Sequence, residues 1–393
     1  MKKKIAILII CFLLVIFGYK LYGYLRVKYA KVEVDLVEDL TLEFNDEKKV
    51  SDYISSINGK IIDDYVIDST KIGKKEVSFK FINDDKIKLD YSFVVDVVDT
   101  VKPVVWLNDI YRIAVGSENS FIQNILCGDN YDSNPTCEII GDYNLNEVGD
   151  YPVTFKATDS SGNVTDKDFV LKVYEPDGSG NVVSKTKTNF PDIVDVYKSD
   201  KTKIGIDVSH WQGDIDFEKI KNAGVEFIII KAGGTNKKGE RYLDSKFVSN
   251  IQNANKYGID AGLYFFSYTS SVKQSKKDAK WLLRQIKNYD IDLPIAFDWE
   301  DWSNFNSYNL SFFGLTSVAT GFLDTIEKSG YDGMIYGSKN YLEKIWLKTK
   351  YDIWLAHYVP QTDYAGSYKL WQICDDGIID GIDGYVDIDI MYE

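Results

Sequence analysis

The sequence predicts a multidomain chain with an N-terminal membrane helix, two small β-sandwiches and a C-terminal β/α barrel. Three observations carry this prediction. An apolar run lies close to the N-terminus, two strand-like stretches in the middle resemble each other, and strand-like and helix-like segments alternate after residue 203. The chain has 393 residues, which is enough for two or three domains.

Composition excludes several classes of function. Asp and Glu number 60 against 46 Lys and Arg, and the resulting net charge of −14 argues against nucleic acid as the main partner. The two histidines, His210 and His357, are too few for a multi-His metal site, and the four cysteines form no C-x-x-C pair. We therefore expect no metal and no other cofactor.

Residues 1–30 are expected to form a membrane segment. Lys2–Lys4 precede an uninterrupted apolar run, Ile5–Gly18, which continues to Leu25 with Lys20 as its one charged residue. This approaches the about 20 residues that a membrane-spanning helix needs. Because no small-x-small cleavage site comes after it, we expect an uncleaved anchor with a cytoplasmic N-terminus and an exported remainder; a cleaved signal peptide and secretion are the alternative.

The middle of the chain contains two copies of one module, over residues 31–98 and 99–175. Three segments align without gaps between the copies: Ile72-Gly73 with Val148-Gly149, Val77–Lys80 with Val153–Lys156, and Phe93-Val94 with Phe169-Val170. Alternating apolar and polar residues in these segments predict the short strands of small β-sandwiches. The second copy resembles bacterial immunoglobulin-like domains in three places: Val101-Lys102-Pro103, Gly149-Asp150-Tyr151 and Asp159–Asn163. The first copy is more divergent, and the resemblance implies spacers or weak binding modules.

Two further features concern the second copy and the segment after it. Cys127 and Cys137 lie in one loop-rich stretch, where an oxidising compartment would allow a disulfide; two free thiols are the alternative. Residues 176–202 begin with Pro-Asp-Gly-Ser-Gly and continue rich in Lys, Thr and Ser. This composition is typical of a linker.

Residues 203–393 carry the pattern of an incomplete β/α, TIM-like barrel with eight strands and about five helices. The predicted strands are Ile204–Val208, Phe227–Ala232, Ala261–Ser267, Pro294–Trp299, Met334–Gly337, Ile353–Ala356, Leu370–Ile373 and Val386–Ile390. The predicted helices span about 214–223, 244–257, 272–289, 308–328 and 339–346. In such barrels the chemistry lies at the carboxyl ends of the strands.

Carboxylates cluster at those ends. Asp207 ends the first strand, Asp298 and Glu300 end the fourth, and Asp387 lies on the last. Residues i and i+2 of a strand point to one side, so Asp298 and Glu300 can face one ligand together. Crowded carboxylates raise one another's pKa, which makes a general acid usable near neutrality, and glycoside cleavage needs such a pair. A solvated strand end with turn-forming acids is the alternative.

The same residues carry a family resemblance. The segment Gly205–Gly213 resembles the opening motif of glycoside hydrolase family 25, the Chalaropsis-type muramidases, and Asp298-x-Glu300 resembles that family's catalytic strand. Further segments that fit are Gly262–Phe266, Ile353–Ala356, Leu370–Gln372 and Val386-Asp387. The resemblance covers about 203–393. One departure is Asp389, which stands where the family often has Asn.

The resemblance implies hydrolysis of the β-1,4 bond between N-acetylmuramic acid and N-acetylglucosamine in peptidoglycan. Glu300 would be the general acid, and Asp298 would orient the 2-acetamido group or stabilise the oxocarbenium-like centre; an acetamido-assisted path and a covalent intermediate both stay open. Asp207 and Asp387 would set the charge field. Candidate sugar contacts are Tyr264, Trp354 and Gln372.

We therefore expect a membrane-anchored, extracytoplasmic muramidase that remodels the cell wall locally. Its partners would be peptidoglycan glycan strands and the membrane, and opening the wall for an envelope-spanning machine is one hypothesis. Two other classes compete: a non-catalytic glycan-binding surface protein, and an adhesin whose β modules bind a partner. A different N-acetylated polysaccharide as substrate is a further alternative.

Overall fold

The chain forms two compact units. The first extends to Thr100 and contains an apolar helix and a β module, and the second is Val101–Glu393. The computed structural model describes residues 2–176 and 187–393. Helix α1 spans Lys2–Lys28, and its Ile10–Lys28 portion has a mean hydropathy of 1.5. By length and composition α1 can cross a membrane, as an anchor or as a signal sequence.

Six strands come next in the first unit. They are β1 (Val34–Leu36), β2 (Thr41–Glu43), β3 (Ile54–Ile57), β4 (Gly59–Ile61), β5 (Gly73–Asn83) and β6 (Lys88–Val98). They form a four-stranded sheet in the order β2-β6-β5-β4 and a two-stranded sheet of β1 and β3. Along β5, buried Val77, Phe79 and Phe81 alternate with exposed residues, so one face of the hairpin builds the core.

The second β module (residues 101–174) opens the second unit. Its strands are β7 (Val104–Trp106), β8 (Ile110–Ala114), β9 (Leu126–Gly128), β10 (Thr136–Ile140), β11 (Gly149–Thr158) and β12 (Val164–Tyr174). A four-stranded sheet has the order β8-β12-β11-β10, and β7 pairs with β9. Cys127 and Cys137 form a disulfide with Cα atoms 6.5 Å apart, which confirms the bridge between them.

The predicted repeat is confirmed as a repeat of structure. In both copies a long antiparallel hairpin lies at the centre of the four-stranded sheet, and a parallel strand borders it on one side. The aligned residues have equivalent roles, since Val77 and Phe79 of β5 and Val153 and Phe155 of β11 are all buried. The immunoglobulin-like assignment itself stays a prediction.

The remaining elements belong to the barrel domain. They are β13 (Thr188–Asn189), α2 (Phe190–Tyr197), β14 (Thr202–Val208), α3 (Phe217–Asn222), β15 (Phe227–Thr235), β16 (Arg241–Leu243), α4 (Phe247–Tyr257), β17 (Asp260–Phe266), α5 (Val272–Ile286), β18 (Ile295–Asp298), α6 (Phe312–Glu327), β19 (Gly333–Ser338), α7 (Lys339–Lys344), β20 (Asp352–Ala356), β21 (Leu370–Ile378) and β22 (Val386–Tyr392). Short 3-10 helices cover Val50–Tyr53, Asn119–Asn124, His210–Gln212 and Trp302–Tyr308.

Eight strands close the barrel. Strands β14, β15, β17, β18, β19, β20 and β21 are parallel neighbours in that order, and β22 joins β21 to β14 in antiparallel pairing with both. Each predicted strand matches one of these eight, and each predicted helix overlaps one of α3 to α7. The antiparallel last strand departs from an all-parallel barrel, and the TIM-like description stays a prediction.

The linker prediction for 176–202 is wrong for its second half. Strand β13 pairs with β21, and α2 buries Phe190 and Ile193 in the barrel core. The segment Phe190–Tyr197 places apolar residues on one face of a helix that has Pro in its first turn, and this pattern suits a surface helix better than a linker. Residues 177–186 lie outside the described residues.

We predict that the Cys127–Cys137 bridge stabilises the second β module. A disulfide that closes a loop of this size is worth about 3 kcal/mol because it limits the unfolded chain. Thermal unfolding of the wild type should therefore begin at a lower temperature in a reducing buffer. The Cys127→Ser/Cys137→Ser double variant should unfold at that lower temperature in both buffers; a wild type insensitive to reduction would contradict the prediction.

Candidate active site

Asp298 and Glu300 lie together where β18 ends at the mouth of the barrel. Asp298 is the last residue of the strand and is buried, with Oδ1 accepting no hydrogen bond. Trp299, between them, is fully buried on the opposite side, so the predicted alternation places both acids toward the mouth. The side chain of Glu300 is exposed at the open end of the cleft.

The surroundings of this pair raise the pKa of both carboxyl groups. Loss of solvent raises the pKa of Asp298 well above its usual range, Glu300 raises it further, and Lys231 lowers it. The pKa of Glu300 is also raised, because the walls of the cleft displace water around a carboxyl group that still opens to solvent; Lys231 opposes this rise. A carboxyl with a raised pKa holds its proton at a pH where an ordinary glutamate has lost it.

A second group of acids lies across the junction of β14 and β22. Asp207 and Asp387 are directly opposite each other in the antiparallel pair of the first and last strands. Asp389 lies two residues further along β22, opposite Gly205, and is fully buried. Residues two apart share a face, so all three acids point to one side of the pair.

Asp207 and Asp389 are placed so that one proton can serve both carboxyl groups. Asp389 Oδ2 is buried and accepts no hydrogen bond from an N–H group. Asp207 is a neighbouring acid in the interior of the barrel. Two adjacent buried carboxylates repel each other, and a single proton between them removes that repulsion. Burial is the main cause that raises the pKa of each well above the usual range.

A network of polar side chains holds these two acids in place. Gln372 Nε2 donates to Asp207 Oδ2 at 2.7 Å, and Trp354 Nε1 donates to Asp389 Oδ1 at 2.8 Å. The hydroxyls of Tyr336 and Tyr358 both donate to Gln372 Oε1, each at 2.9 Å. Because both ends of its amide are engaged, Gln372 is fixed in one orientation.

Trp354 and Gln372, the predicted sugar contacts, are almost completely buried, and their contact with a sugar stays a prediction. Trp354 is 2% exposed, with Tyr336 at 4.7 Å and Tyr264 at 5.9 Å between ring centroids, and Gln372 is 4% exposed. Both side chains lie behind the acids, where they orient Asp389 and Asp207. The sequence could not show this because their burial depends on the closure of the barrel. Tyr264 is half-buried in the same interior and stays a candidate for contact with a ligand.

Lys231 on β15 brings a positive charge to the acidic site. Its Nζ lies 4.6 Å from the ring centroid of Phe266 and 5.6 Å from that of Tyr264. Sequence reasoning did not single out Lys231, although it stands near the end of a predicted strand, as the acids do. The expected absence of a metal and of other cofactors stays a prediction.

The 3-10 helix after β14 forms one rim of the cleft. His210 Nδ1 lies 2.8 Å from Oδ2 of the buried Asp244, which gives His210 a structural role. The ring of Trp211 lies against that of His210 with centroids 4.7 Å apart and an interplanar angle of 33°, and Trp211 is 79% exposed. Most of the Trp211 ring is therefore open to solvent at this rim.

An eight-stranded barrel with paired carboxyl groups at its mouth defines a site of the glycosidase type. Residues 206–382 match the family described as glycosyl hydrolases family 25. The chain is 30% identical over 201 residues to the uncharacterized protein YegX of Escherichia coli, a match that covers 48% of this chain and 68% of that protein. The chain belongs to glycosyl hydrolases family 25.

Two other relatives are named lysozymes. The autolytic lysozyme of Clostridium acetobutylicum is 28% identical over 192 residues, which is 48% of this chain and 56% of that protein. Lysozyme M1 of Streptomyces globisporus is 28% identical over 197 residues, which is 47% of this chain and 65% of that protein. The chain thus spans little more than half the length of the first of these relatives.

We predict that Asp389→Asn stabilises the protein at neutral and alkaline pH. An Asn amide can accept from Trp354 Nε1 and donate to Asp207 with no shared proton. In the wild type the raised pKa of Asp389 stabilises the fold fully at pH values below the pKa that Asp389 has in the unfolded chain. This stabilisation is lost as the pH rises through the pKa that Asp389 has in the folded protein. The variant has no such loss.

Thermal unfolding from pH 4 to pH 8 checks this prediction. The melting temperature of Asp389→Asn should exceed that of the wild type increasingly as pH rises, by about 2–4 °C for each 1 kcal/mol. Asp383→Asn, at an exposed acid of the same domain, should match the wild type at every pH. A constant difference between Asp389→Asn and the wild type across the range would contradict a shared proton.

Proposed function

We propose that the barrel domain hydrolyses the β-1,4 bond between N-acetylmuramic acid and N-acetylglucosamine in peptidoglycan. The observation that carries this proposal is the pair of Asp298 and Glu300 at the mouth of a family 25 barrel, with raised pKa values and different exposure. Two relatives named lysozymes support the same class of substrate.

Glu300 is the general acid. Its raised pKa keeps its proton to a higher pH than an ordinary glutamate does, and its exposure at the cleft allows contact with a glycosidic oxygen. The bond between C1 of the muramic acid and O4 of the glucosamine breaks, and the Glu300 proton passes to the leaving oxygen. Water then supplies a hydroxyl to C1, and its second proton restores Glu300.

Asp298 acts on the muramic acid side of the bond. Buried and with Oδ1 unbonded, it can accept a hydrogen bond from the 2-acetamido N–H or face the positive charge that develops at C1. Both an acetamido-assisted path and a covalent intermediate fit this position. Asp207 and Asp387 contribute charge on the opposite wall, and Tyr264 offers a half-buried ring for sugar contact.

The protein acts outside the cytoplasm, where α1 anchors it with its N-terminus inside. Two observations support this proposal: the length and hydropathy of α1, and the Cys127–Cys137 disulfide, a bond typical of oxidising compartments. An anchored enzyme reaches only the wall close to its own membrane, which favours local remodelling. An envelope-spanning machine that needs an opening in the wall would be a suitable partner.

We predict that Glu300→Gln folds normally and loses catalysis. Removal of a general acid typically lowers a rate by about 10²–10⁴-fold, because the leaving oxygen must depart as an anion. Digestion of purified peptidoglycan, then borohydride reduction and mass analysis, should yield fragments that end in reduced muramic acid from the wild type and almost none from the variant. Asp298→Asn should be severely impaired in the same assay.

Three results would change this conclusion. Near-wild-type turnover by Glu300→Gln would remove Glu300 from the chemistry, and the same result for Asp298→Asn would remove Asp298. A folded wild type that binds the wall but releases no fragments would favour a glycan-binding surface protein. Release of fragments that end in reduced glucosamine would indicate a different glycosidic bond.

We predict that the mature protein keeps α1. Mass spectrometry of the protein from bacterial membranes should find the mass of the uncleaved chain, and alkaline carbonate washing should leave it with the membrane, because about 20 apolar residues span the bilayer. A protein in the medium that lacks residues 1–30 would show instead that α1 is a cleaved signal peptide.

A further inference from the structure

The second β module is packed against the loop that comes after the proposed catalytic acid. Within the unit Val101–Glu393, strand β9 contacts the 3-10 helix Trp302–Tyr308, which begins two residues after Glu300. Leu126 of β9 is buried in the core of the barrel domain. A Cβ atom on Gly128 would lie 2.6 Å from a ring carbon of Phe312 and 2.8 Å from one of Phe305, so the two parts touch at backbone distance.

Hydrogen bonds join the module to this loop and to the helix after it. Asn306 Nδ2 donates to the carbonyls of Ile125 at 2.8 Å and Gln123 at 3.2 Å, and Asn306 Oδ1 accepts from the Cys127 amide at 3.1 Å. The amides of Phe312 and Phe313, in the first turn of α6, donate to the carbonyls of Asp129 and Asn130 at 2.8 and 3.1 Å. The module thus satisfies amides that a helix N-terminus cannot pair internally.

A row of aromatic rings connects the module with the catalytic strand. Trp106 of β7 lies 4.8 Å from Tyr341 between ring centroids, and Tyr341 stacks on Trp302 at 4.1 Å with an interplanar angle of 17°. Trp302 meets Trp299 edge to face at 4.8 Å. Because Trp299 is the residue between Asp298 and Glu300, a shift of this row moves the backbone that carries both acids.

We propose that the second β module is a positioning element of the catalytic site, which fixes the backbone at Glu300 through Trp106 and Asn306. This inference rests on the proposed function and replaces the spacer role that the sequence suggests for residues 99–175. Trp106 and Asn306 are positioning residues, since they act through Trp302 and the 302–308 loop. A displacement of about 1 Å at a catalytic group can cost about 10²-fold in rate, so a modest loosening of the loop is measurable.

The test compares full-length variants purified in a mild detergent. Trp106→Ala removes the first ring of the row, Trp106→Phe keeps an aromatic ring there, and Asn306→Ala removes three hydrogen bonds. Tyr151→Ala is the matched control, because Tyr151 packs on the module's own core and its hydroxyl donates to the Glu147 carbonyl. Hydrogen exchange of residues 299–313 and the kcat and KM for soluble peptidoglycan fragments are measured for each.

Trp106→Ala and Asn306→Ala should increase amide exchange over 299–313 and lower kcat by roughly tenfold or more, with a much smaller change in KM. Trp106→Phe should bring amide exchange and kcat most of the way back to the wild-type values. Tyr151→Ala should leave amide exchange and kcat near the wild-type values. Wild-type exchange and kcat in Trp106→Ala would overturn the proposal. Equal losses in Tyr151→Ala would overturn it too, since general destabilisation of the module would then explain the effect.

The exchange measurement separates this proposal from the proposed function. If the wild type releases no fragments from peptidoglycan, the muramidase proposal fails, whatever the exchange data show. If the wild type is active and Glu300→Gln is not, but Trp106→Ala matches the wild type, the positioning proposal alone fails.

Discussion

Removal of water from the carboxyl groups at the mouth of the barrel is the constraint on which the site depends. Asp207, Asp298 and Asp389 are buried there, and burial is the main cause of the raised pKa of each. Burial of a carboxylate without partners lowers the free energy of unfolding. Each buried acid must therefore keep its proton or accept hydrogen bonds from the surrounding side chains. The indole of Trp354 and the amide of Gln372 meet this requirement.

Glu300 differs from the other acids in its access to the cleft. Asp207 and Asp389 accept hydrogen bonds from side chains in the interior of the barrel, whereas Glu300 is open to a ligand and still has a raised pKa. A general acid needs both properties, because it must reach the leaving oxygen and hold a proton when it does. The division between buried acids that shape the site and one accessible acid is therefore the basis of the proposed chemistry.

The sequence predicted the features that depend on local pattern. Eight apolar strand segments, the Asp298-x-Glu300 pair and the repeat between β5 and β11 are all visible in spacings of a few residues, and the structure contains each of them. Contacts between segments that are far apart in the sequence were missed. Gln372 and Asp207 lie 165 residues apart in sequence, and Cys127 and Asn306 lie 179 apart, so no local pattern indicates either contact. The linker prediction failed because its second half is short but amphipathic.

Titration of Glu300 is the most direct measurement of the central claim. Carbon-13 NMR of full-length protein with labelled glutamate side chains tracks each carboxyl carbon with pH, and Glu300→Gln identifies the resonance of Glu300. We predict a midpoint clearly above the ordinary glutamate value of about 4.3. A further rise should appear when Lys231 is replaced by Met, because Lys231 lowers the pKa of Glu300. A Glu300 midpoint at or below the ordinary value would contradict a cleft that holds a protonated acid ready for catalysis.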